Sequence, residues 1–149
     1  MRFSIGIPAY ESEYTLERAL NSVAAQNFND IEIIVSDDCS EKSNLKKICN
    51  NFKIKNPKIL LRYYFQKKNL GPTPNIKFLL EKANSDYIML MAHDDYLVDR
   101  NFFTECDKII KQNKDLSCII ANTMKEDTKK KWLTMKQKHG RILTIKRNL

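Results

Sequence analysis

The longest strongly apolar run of the chain, Tyr87 to Ala92, is followed by His93 and then by the acidic pair Asp94–Asp95. Clustered charge at the end of a strand costs desolvation free energy unless a cation or hydrogen-bond donors compensate it. A divalent cation held by one or two carboxylates, with phosphate oxygens and water completing its shell, fits such a pair. A plain turn that caps the next helix fits it too, and for one pair alone that interpretation is favoured.

A second acidic pair, Asp37–Asp38, follows the β-branched run Ile31 to Ser36, and the first apolar run ends at Pro8. Ligands of open parallel α/β sheets bind beyond the carboxyl ends of the strands, where the loops converge. Two acidic pairs at such ends favour nucleotide binding, since a nucleotide needs a metal for its diphosphate and an acceptor for its base. Asp38 can accept the N3–H of uracil or thymine. Tyr10 can stack on the base, although an aromatic residue there is more often core edge.

Glycine-rich phosphate loops are absent from the sequence. The chain has three glycines, Gly6, Gly71 and Gly140, and neither a Gly-x-Gly-x-x-Gly pattern nor a Walker lysine motif. Dinucleotide-binding and P-loop functions are therefore disfavoured. A sugar-1-phosphate nucleotidyltransferase is disfavoured as well, because it should carry a glycine-rich N-terminal loop with a basic residue.

Strand-like and helix-like segments alternate along the chain, which predicts right-handed βαβ crossovers. The fold class expected is a Rossmann-like α/β structure, with a mainly parallel sheet covered by helices on both faces. The predicted strands are Phe3–Pro8, Ile31–Ser36, Ile59–Phe65, Tyr87–Met91 and Ser117–Ala121. Four helices are predicted. The first follows an N-cap at Ser12 and has an apolar side made of Leu16, Ala19, Leu20, Val23 and Ala24, and the next two are Lys42–Phe52 and Asn75–Ala83. The fourth is capped by Asp99 and runs to about Gln112, with Phe102, Phe103, Cys106, Ile109 and Ile110 on its inner side.

The length of 149 residues predicts one domain, over residues 1–122, followed by a basic tail over residues 123–149. That tail holds 9 Lys and Arg against 2 Asp and Glu, and so carries +7 of the net charge of +8. It is typical of a loosely ordered, solvated terminus, and it can also attract an anionic membrane face. Residues 125–138 are weakly patterned, and Arg141–Ile145 is a possible short strand. Nucleic-acid binding is not expected, because Trp132 is the only aromatic residue of the tail.

Export and membrane spanning are not predicted. The N-terminus carries no signal-peptide pattern, and no apolar run approaches the ~20 residues that a transmembrane helix needs. The four cysteines form no Cys-x-x-Cys pair and are expected to be reduced thiols: Cys39, Cys49, Cys106 and Cys118. A cytoplasmic protein follows, with the basic tail allowing peripheral contact at the inner membrane face.

A set of motifs over about residues 3–122 resembles family 2 glycosyltransferases, in the order and at the spacing of that family. The motifs are Ile7-Pro-Ala-Tyr10, Leu16 to Gln26, Glu32 to Ser40, Asn69 to Asn75, Ala83 to Ile88 and His93-Asp-Asp95. The resemblance implies a GT-A fold and a nucleoside-diphosphate sugar donor, with UDP favoured. It also implies Mg²⁺ or Mn²⁺ at the aspartate motif, and a glycan or lipid-linked acceptor in polysaccharide biosynthesis.

The resemblance also assigns roles by position. Asp38 looks like the base-binding aspartate, Pro8 and Tyr10 like the wall around the base, and Asp95 like the metal ligand. The loop from Asn69 to Asn75 looks like the one that flanks the nucleotide. The full prediction for nucleotide binding is Pro8, Ala9, Tyr10, Glu11, Asp38, Asn69, Gly71, Asn75 and Asp94, and for the metal it is Asp95 and Asp94.

In the resembled family the acceptor hydroxyl attacks with inversion, assisted by an Asp or Glu downstream of the metal motif. Only 54 residues follow Asp95, fewer than the acceptor-binding half of that family needs. Glu126 and Asp127 lie in a lysine-rich setting and are not assigned, so the catalytic residue is unknown. The alternative to an enzyme is therefore a truncated, non-catalytic nucleotide-sugar-binding fragment.

Two residues depart from the family pattern. Cys39 replaces its usual glycine, which implies a backbone that tolerates a side chain there. His93 stands where many members carry another acid, and it is expected to pack or hydrogen-bond rather than to bind metal.

Overall fold

A computed structural model describes residues 1–119, 121, 124–127, 130–134 and 144–146, and from residue 124 onward the description covers the backbone. Twelve elements occur in these residues: β1 (Phe3–Ala9), α1 (Glu13–Ala24), β2 (Ile31–Asp37), α2 (Leu45–Lys55), β3 (Leu60–Phe65), α3 (Pro72–Lys82), β4 (Tyr87–Leu90), α4 (Phe102–Gln112), β5 (Cys118–Ile119), β6 (Met124–Asp127), β7 (Lys130–Thr134) and β8 (Thr144–Lys146). None of the described helices is long and apolar enough to cross a membrane.

The main sheet has six strands in the order β3-β2-β1-β4-β8-β5. Strands β3, β2, β1 and β4 are parallel, and β1 is central, with Phe3 opposite both Ile31 and Tyr87. Strand β8 runs antiparallel to both of its neighbours. The predicted Rossmann-like class and mainly parallel sheet are confirmed.

Part of the predicted basic tail belongs to this sheet, because β8 lies between β4 and β5. Strands β6 and β7 form a separate antiparallel pair, where the sequence showed only weak patterning. The domain boundary at residue 122 stays a prediction. Of the predicted strand Arg141–Ile145, residues 141–143 lie outside the described residues.

Helices cover both faces of the sheet. The apolar sides of α1, α2 and α4 pack on one face in a single cluster, around the fully buried Phe3. The ring of Phe3 lies 5.0 Å from that of Phe103 and 5.4 Å from that of Phe28, centroid to centroid. The predicted inward positions of α1 and α4 are confirmed, since period-3.6 patterning reports burial directly.

Helix α3 packs on the other face, against Ile34 and Ile88. Its closest approach to the sheet is at Gly6 of β1, where an added Cβ would lie 3.2 Å from Cβ of Leu79 and 3.2 Å from Cδ2 of Leu90. A glycine at this position lets the helix lie close to the strand.

Two helix starts differ from the prediction because side chains compete for backbone N–H groups. Helix α2 begins at Leu45 rather than Lys42, since the side chain of Asn44 accepts the N–H of Lys47 at 3.0 Å. Helix α4 begins at Phe102, because the carboxylate of Asp99 accepts the N–H of Asn101 at 2.9 Å and so holds a turn before the helix.

The other element boundaries differ by smaller amounts. Helix α3 begins at Pro72 rather than Asn75, which costs no hydrogen bond because the first N–H of a helix has no partner within it. Ser12 is the N-cap of α1 by position, but its hydroxyl makes no capping bond. Strand β5 is shorter than the predicted Ser117–Ala121, and residue 120 lies outside the described residues.

All four cysteines are free thiols, as predicted. Burial raises the pKa of Cys49 to about 12 and that of Cys106 to about 11, so neither is an effective nucleophile at neutral pH.

A buried carboxylate joins the strands at the amino-terminal end of the sheet. Glu32 of β2 is fully buried and accepts hydrogen bonds from the hydroxyl of Ser4, the N–H of Asn84 at 2.7 Å, and Nη2 of Arg62 at 2.8 Å. Arg62 also donates to the carbonyl of Lys82. One side chain thus connects β1, β2, β3 and the loop after α3, at the end of the sheet opposite the acidic pairs.

Replacing Glu32 by Gln should lower the free energy of unfolding by about 3 kcal/mol, because it leaves the partly buried guanidinium of Arg62 without its counter-charge. The matched control is Glu81→Gln, which removes an exposed partner 3.9 Å from Lys77 and should cost less than about 0.5 kcal/mol. Urea unfolding followed by circular dichroism measures both. Equal losses in the two variants would contradict the structural role given to Glu32.

Candidate functional site

The loop after β1 is bonded to the loop after β2. The N–H of Glu11 donates to Oγ of Ser40 at 2.9 Å, and Oε1 of Glu11 accepts the N–H groups of Lys42 at 3.0 Å and Glu41 at 2.8 Å. These backbone donors, that of Lys42 foremost, lower the pKa of the Glu11 carboxyl. Tyr10, one residue earlier, is 48% exposed. The predicted residues Pro8 to Glu11 therefore form a connected rim with one free aromatic face.

Asp37 shapes the turn after β2. Its Oδ1 accepts the N–H of Ser40 at 2.9 Å, and its Oδ2 accepts the hydroxyl of Tyr63 at 2.6 Å. Burial and this bond raise the pKa of Tyr63. Cys39 lies inside the turn with φ of 67°, in the left-handed region that favours glycine. The expectation that the backbone tolerates a side chain at this position is therefore wrong, because Cys39 adopts a conformation that disfavours one.

Asp38 ties three loops together. It is 5% exposed, and its N–H donates to the carbonyl of Ala9 at 2.9 Å. Its Oδ1 accepts the N–H of Leu70 at 2.7 Å, and its Oδ2 accepts the N–H of Gly71 at 2.9 Å. Oδ1 of Asn69 accepts the same Gly71 N–H at 3.0 Å. Asn69 and Gly71 are therefore brought against Asp38, as expected of a common site.

Asn75 does not lie in the flanking loop predicted for it. It lies inside α3, is 2% exposed, and pairs with Ser36 of β2, accepting from the Ser36 hydroxyl and donating Nδ2–H to the Ser36 carbonyl at 3.1 Å. The amide side chain fastens α3 to the sheet because its donor and acceptor match a strand-end serine. Any contact of Asn75 with a nucleotide stays a prediction.

Asp94 and Asp95 lie in an exposed turn after β4. The N–H of Asp95 donates to the carbonyl of Ala92 at 3.1 Å, and the carbonyl of Asp94 accepts Nη2–H of Arg18 at 2.7 Å. Nδ1 of His93 lies 3.0 Å from Oγ1 of Thr15, which agrees with the hydrogen-bonding role expected of this histidine. Bonds from α1 therefore reach the backbone of Asp94 and the ring of His93.

The acidic turn offers a metal ion two carboxylates and no more. Among residues whose side chains are described, no group of three His, Cys, Asp or Glu side chains could hold a metal ion. Both aspartates are exposed, and within the described part of the chain neither carboxylate accepts a hydrogen bond. Such a pair fits Mg²⁺ or Mn²⁺, whose remaining ligands in nucleotide sites are phosphate oxygens and water.

Three polar residues of α1, and Gln26 two residues beyond its end, contact the chain between β4 and α4, and the sequence did not single them out. Thr15, Arg18, Ser22 and Gln26 recur at steps of three and four, beside the apolar positions of the helix. Their spacing indicates one polar side, but it does not identify the segment that this side contacts. Contacts such as that between Arg18 and Asp94 join residues 76 positions apart.

A cavity of about 680 Å³ opens on the α2 side of β2. It is lined by Asp37, Ser40, Asn44, Tyr63 and Phe65 among others, and by none of the predicted nucleotide-binding residues. The cavity therefore does not coincide with the predicted site, which is the set of loops around Asp38 and Asp95.

Comparison with known proteins agrees with this geometry. Residues 4–148 match Glycosyl transferase family 2. The chain is 31% identical over 127 residues to the GalNAc(5)-diNAcBac-PP-undecaprenol beta-1,3-glucosyltransferase of Campylobacter jejuni, covering 84% of this chain and 39% of that enzyme.

Two solved structures share the fold. S. aureus TarS 1–349 in complex with UDP-GlcNAc has a TM-score of 0.75 and 25% identity, over 88% of this chain and 36% of that one. The mannosyltransferase PcManGT from Pyrobaculum calidifontis, in complex with GDP-Man and Mn²⁺, has a TM-score of 0.74 at 15% identity, over 83% of this chain and 36% of that one, and so supports the fold alone. The chain thus spans less than two fifths of each of these proteins. With a match over nearly its whole length, it belongs to glycosyl transferase family 2.

Proposed function

We propose that this chain binds a nucleoside-diphosphate sugar, a UDP-sugar in particular, at the carboxyl edge of its parallel sheet. The activity proposed for the protein is transfer of that sugar to a glycan or lipid-linked acceptor. The observation that carries the proposal is the position of Asp38, which bonds the end of β1 and the loop after β3 to the loop after β2. The UDP-GlcNAc complex of the similar TarS supports a uridine donor.

Asp38 and Tyr10 would hold the base. Each oxygen of the Asp38 carboxylate accepts one backbone N–H, and a carboxylate has about four acceptor sites, so acceptor capacity remains for the N3–H of uracil. Tyr10 lies two residues before the buried Ser12 yet stays half-exposed, which leaves an aromatic face for stacking. Pro8, Ala9 and Glu11 would complete the wall.

Asp95 and Asp94 would hold the divalent cation at the diphosphate. The ion, when bound, acts as a Lewis acid that offsets charge on the departing nucleoside diphosphate. The two aspartates orient it, and the turn that carries them is fixed by Thr15 and Arg18. The transfer proposed is inverting, as is usual in the family, and no residue of this chain is assigned as the base that activates the acceptor.

A non-catalytic nucleotide-sugar-binding chain is the second candidate function. It is kept because no residue of the part of the chain that the structure describes is assigned as the base that activates the acceptor. The two candidates differ in turnover, since both predict UDP binding but only the enzyme releases UDP from a UDP-sugar. A coupled assay for UDP release, with and without lipid-linked or glycan acceptors, separates them.

Replacing Asp95 by Ala should weaken Mn²⁺-dependent UDP binding by about tenfold or more, since it removes one of the two carboxylates offered to the ion. Asp86→Ala is the matched control, because Asp86 is an exposed aspartate just before β4, at the opposite end of the strand. Titration calorimetry of UDP with Mn²⁺ measures both. Absence of UDP binding by the unsubstituted chain would sink the proposal.

Replacing Asp38 by Asn should change base preference as well as affinity. An amide in place of the carboxylate offers an N–H that suits the N3 acceptor of cytosine and opposes the N3–H of uracil. UDP binding should weaken about tenfold, and the CDP-to-UDP ratio of dissociation constants should fall.

The control for this test is Asp37→Asn, which alters the neighbouring turn and its Tyr63 bond but should leave the CDP-to-UDP ratio unchanged. If Asp38→Asn weakens UDP and CDP equally, Asp38 acts on the loops alone and its contact with the base is excluded.

Peripheral binding to the inner membrane face, on the cytoplasmic side, is proposed from the charge of residues 123–149. Because β8 of that segment lies within the main sheet, charge substitution is a cleaner test than deletion. Replacing Lys129, Lys130 and Lys131 by Gln should weaken binding to phosphatidylglycerol vesicles at least about tenfold at low salt, given about 1 kcal/mol for each lysine at a membrane surface. Unchanged sedimentation with vesicles would exclude the tail as the attachment.

A further inference from the structure

The polar side of α1 runs alongside the irregular chain segment that carries the acidic turn. We call Thr15, Arg18, Ser22 and Gln26 the α1 stripe. The first three share one side of the helix by their spacing, and Gln26 follows two residues after the end of the helix. Each member bonds a successive point of residues 93–99. Thr15 Oγ1 lies 3.0 Å from His93 Nδ1, Arg18 Nη2 donates to the Asp94 carbonyl at 2.7 Å, Ser22 Oγ accepts the Leu97 N–H at 3.0 Å, and Gln26 Nε2 donates to the Asp99 carbonyl at 2.8 Å.

Three of these four bonds go to backbone groups, and they therefore fix the path of the chain. Residues 93–99 contain neither helix nor strand, so the only regular spacing imposed on them is that of α1. The segment continues in the same way, since the N–H of Asn27 donates to the carbonyl of Arg100 at 2.8 Å. The hydrogen bonds of the α1 stripe therefore act as a template, that is, they determine the backbone path of residues 93–99.

Arg18 is the member nearest the acidic pair. Its guanidinium donates to the carbonyl of Asp94 and lies 4.5 Å from the ring centroid of Tyr96, so it is held on both sides of Asp95. The bond goes to the backbone and leaves the carboxylates of Asp94 and Asp95 for another partner. Arg18 thus holds the turn through the backbone of Asp94 and the ring of Tyr96 and does not occupy either carboxylate.

We infer that the α1 stripe, with Arg18 as its key member, positions the Asp94–Asp95 turn for the divalent cation that accompanies the nucleoside diphosphate. The inference rests on the proposed function. Arg18 is a positioning residue, because it acts through the backbone of Asp94 and is not itself a metal ligand.

A general contribution to stability is the competing explanation, and Arg2 provides the comparison. Arg2 also combines a hydrogen bond with an aromatic contact, since its Nε lies 2.8 Å from Oδ1 of Asp107 and its guanidinium 5.1 Å from the Tyr87 ring centroid. It lies beside α4 at the amino-terminal end of β1, remote from the acidic turn. If the contact of an arginine guanidinium with a tyrosine ring contributes only to stability, substitution of Arg18 and substitution of Arg2 should have the same effect on Mn²⁺ affinity.

The test compares Arg18→Met, Arg18→Lys and Arg2→Met in the full chain, by titrating Mn²⁺ in the presence of UDP and following free Mn²⁺ by electron paramagnetic resonance. Arg18→Met should weaken Mn²⁺ binding about tenfold, within the range typical of residues that orient metal ligands. Its UDP affinity in EDTA should stay within about twofold. Arg18→Lys should recover part of the loss, because it can still donate to the Asp94 carbonyl.

Arg2→Met should lower the thermal midpoint and leave the Mn²⁺ affinity unchanged. Equal Mn²⁺ affinities in the unsubstituted chain and in Arg18→Met would overturn the inference. So would equal losses of metal-free and metal-dependent UDP binding, because these indicate general destabilisation.

Hydrogen exchange without any ligand tests the template independently of function. Amides of residues 93–99 should exchange faster in Arg18→Met, and in Ser22→Ala, which removes the acceptor of the Leu97 N–H. Unchanged exchange in both variants would refute the role of the stripe. If the unsubstituted chain binds no UDP with Mn²⁺, the proposed function and the metal role fall together, and faster exchange would still show that the stripe holds the segment.

Discussion

Helix α1 is held on two sides at once, and the geometry of the whole carboxyl edge depends on that. Leu16, Leu20 and Val23 pack into the core against the sheet, while the α1 stripe binds the segment after β4. Because a helix is rigid and a packed core resists deformation, the sheet and the acidic turn keep a fixed relation. Core packing and site geometry are therefore coupled, and a change on the apolar side of α1 is transmitted to Asp94 and Asp95.

The carboxylates at this edge differ in what compensates their charge. Glu11 and Asp38 accept backbone N–H groups of neighbouring loops, so the desolvation cost of clustered charge is offset by the protein itself. Asp94 and Asp95 remain exposed, and the strongest donor nearby, Arg18, bonds a carbonyl instead. Acidic groups of the first kind build the rim, and those of the second kind are the ones that we propose to hold a cation. The first kind follows β1 and β2, and the second kind follows β4.

Apolar patterning was enough to predict strands β1 to β5, helices α1 to α4 and most of the core, because burial leaves a local signal along the chain. Helix starts at Leu45 and Phe102 were not predicted, since the outcome depends on which backbone N–H the side chains of Asn44 and Asp99 reach. The acidic positions after β2 and β4 were identified from charge at strand ends. The bond from Ser22 to Leu97 was not, because it joins residues 75 positions apart that only the folded chain brings together. Sequence therefore predicts which residues carry charge, and the structure adds what holds them.

Asp38, which we propose binds the base, also has a structural role in the loops around it. Its two oxygens accept N–H groups that stand in sequence, at Leu70 and Gly71, so the carboxylate plane is fixed by the loop before any ligand arrives. Gly71, with φ of 79°, lets the chain turn into α3 directly after this contact. A carboxylate held in this way needs little reorganisation to accept a further N–H, and preorganisation of that kind raises affinity without any new contact. The same bonds make Asp38 sensitive to substitution. Any replacement that lacks two acceptor oxygens releases the N–H groups of Leu70 and Gly71 and also changes the acceptor offered to a ligand.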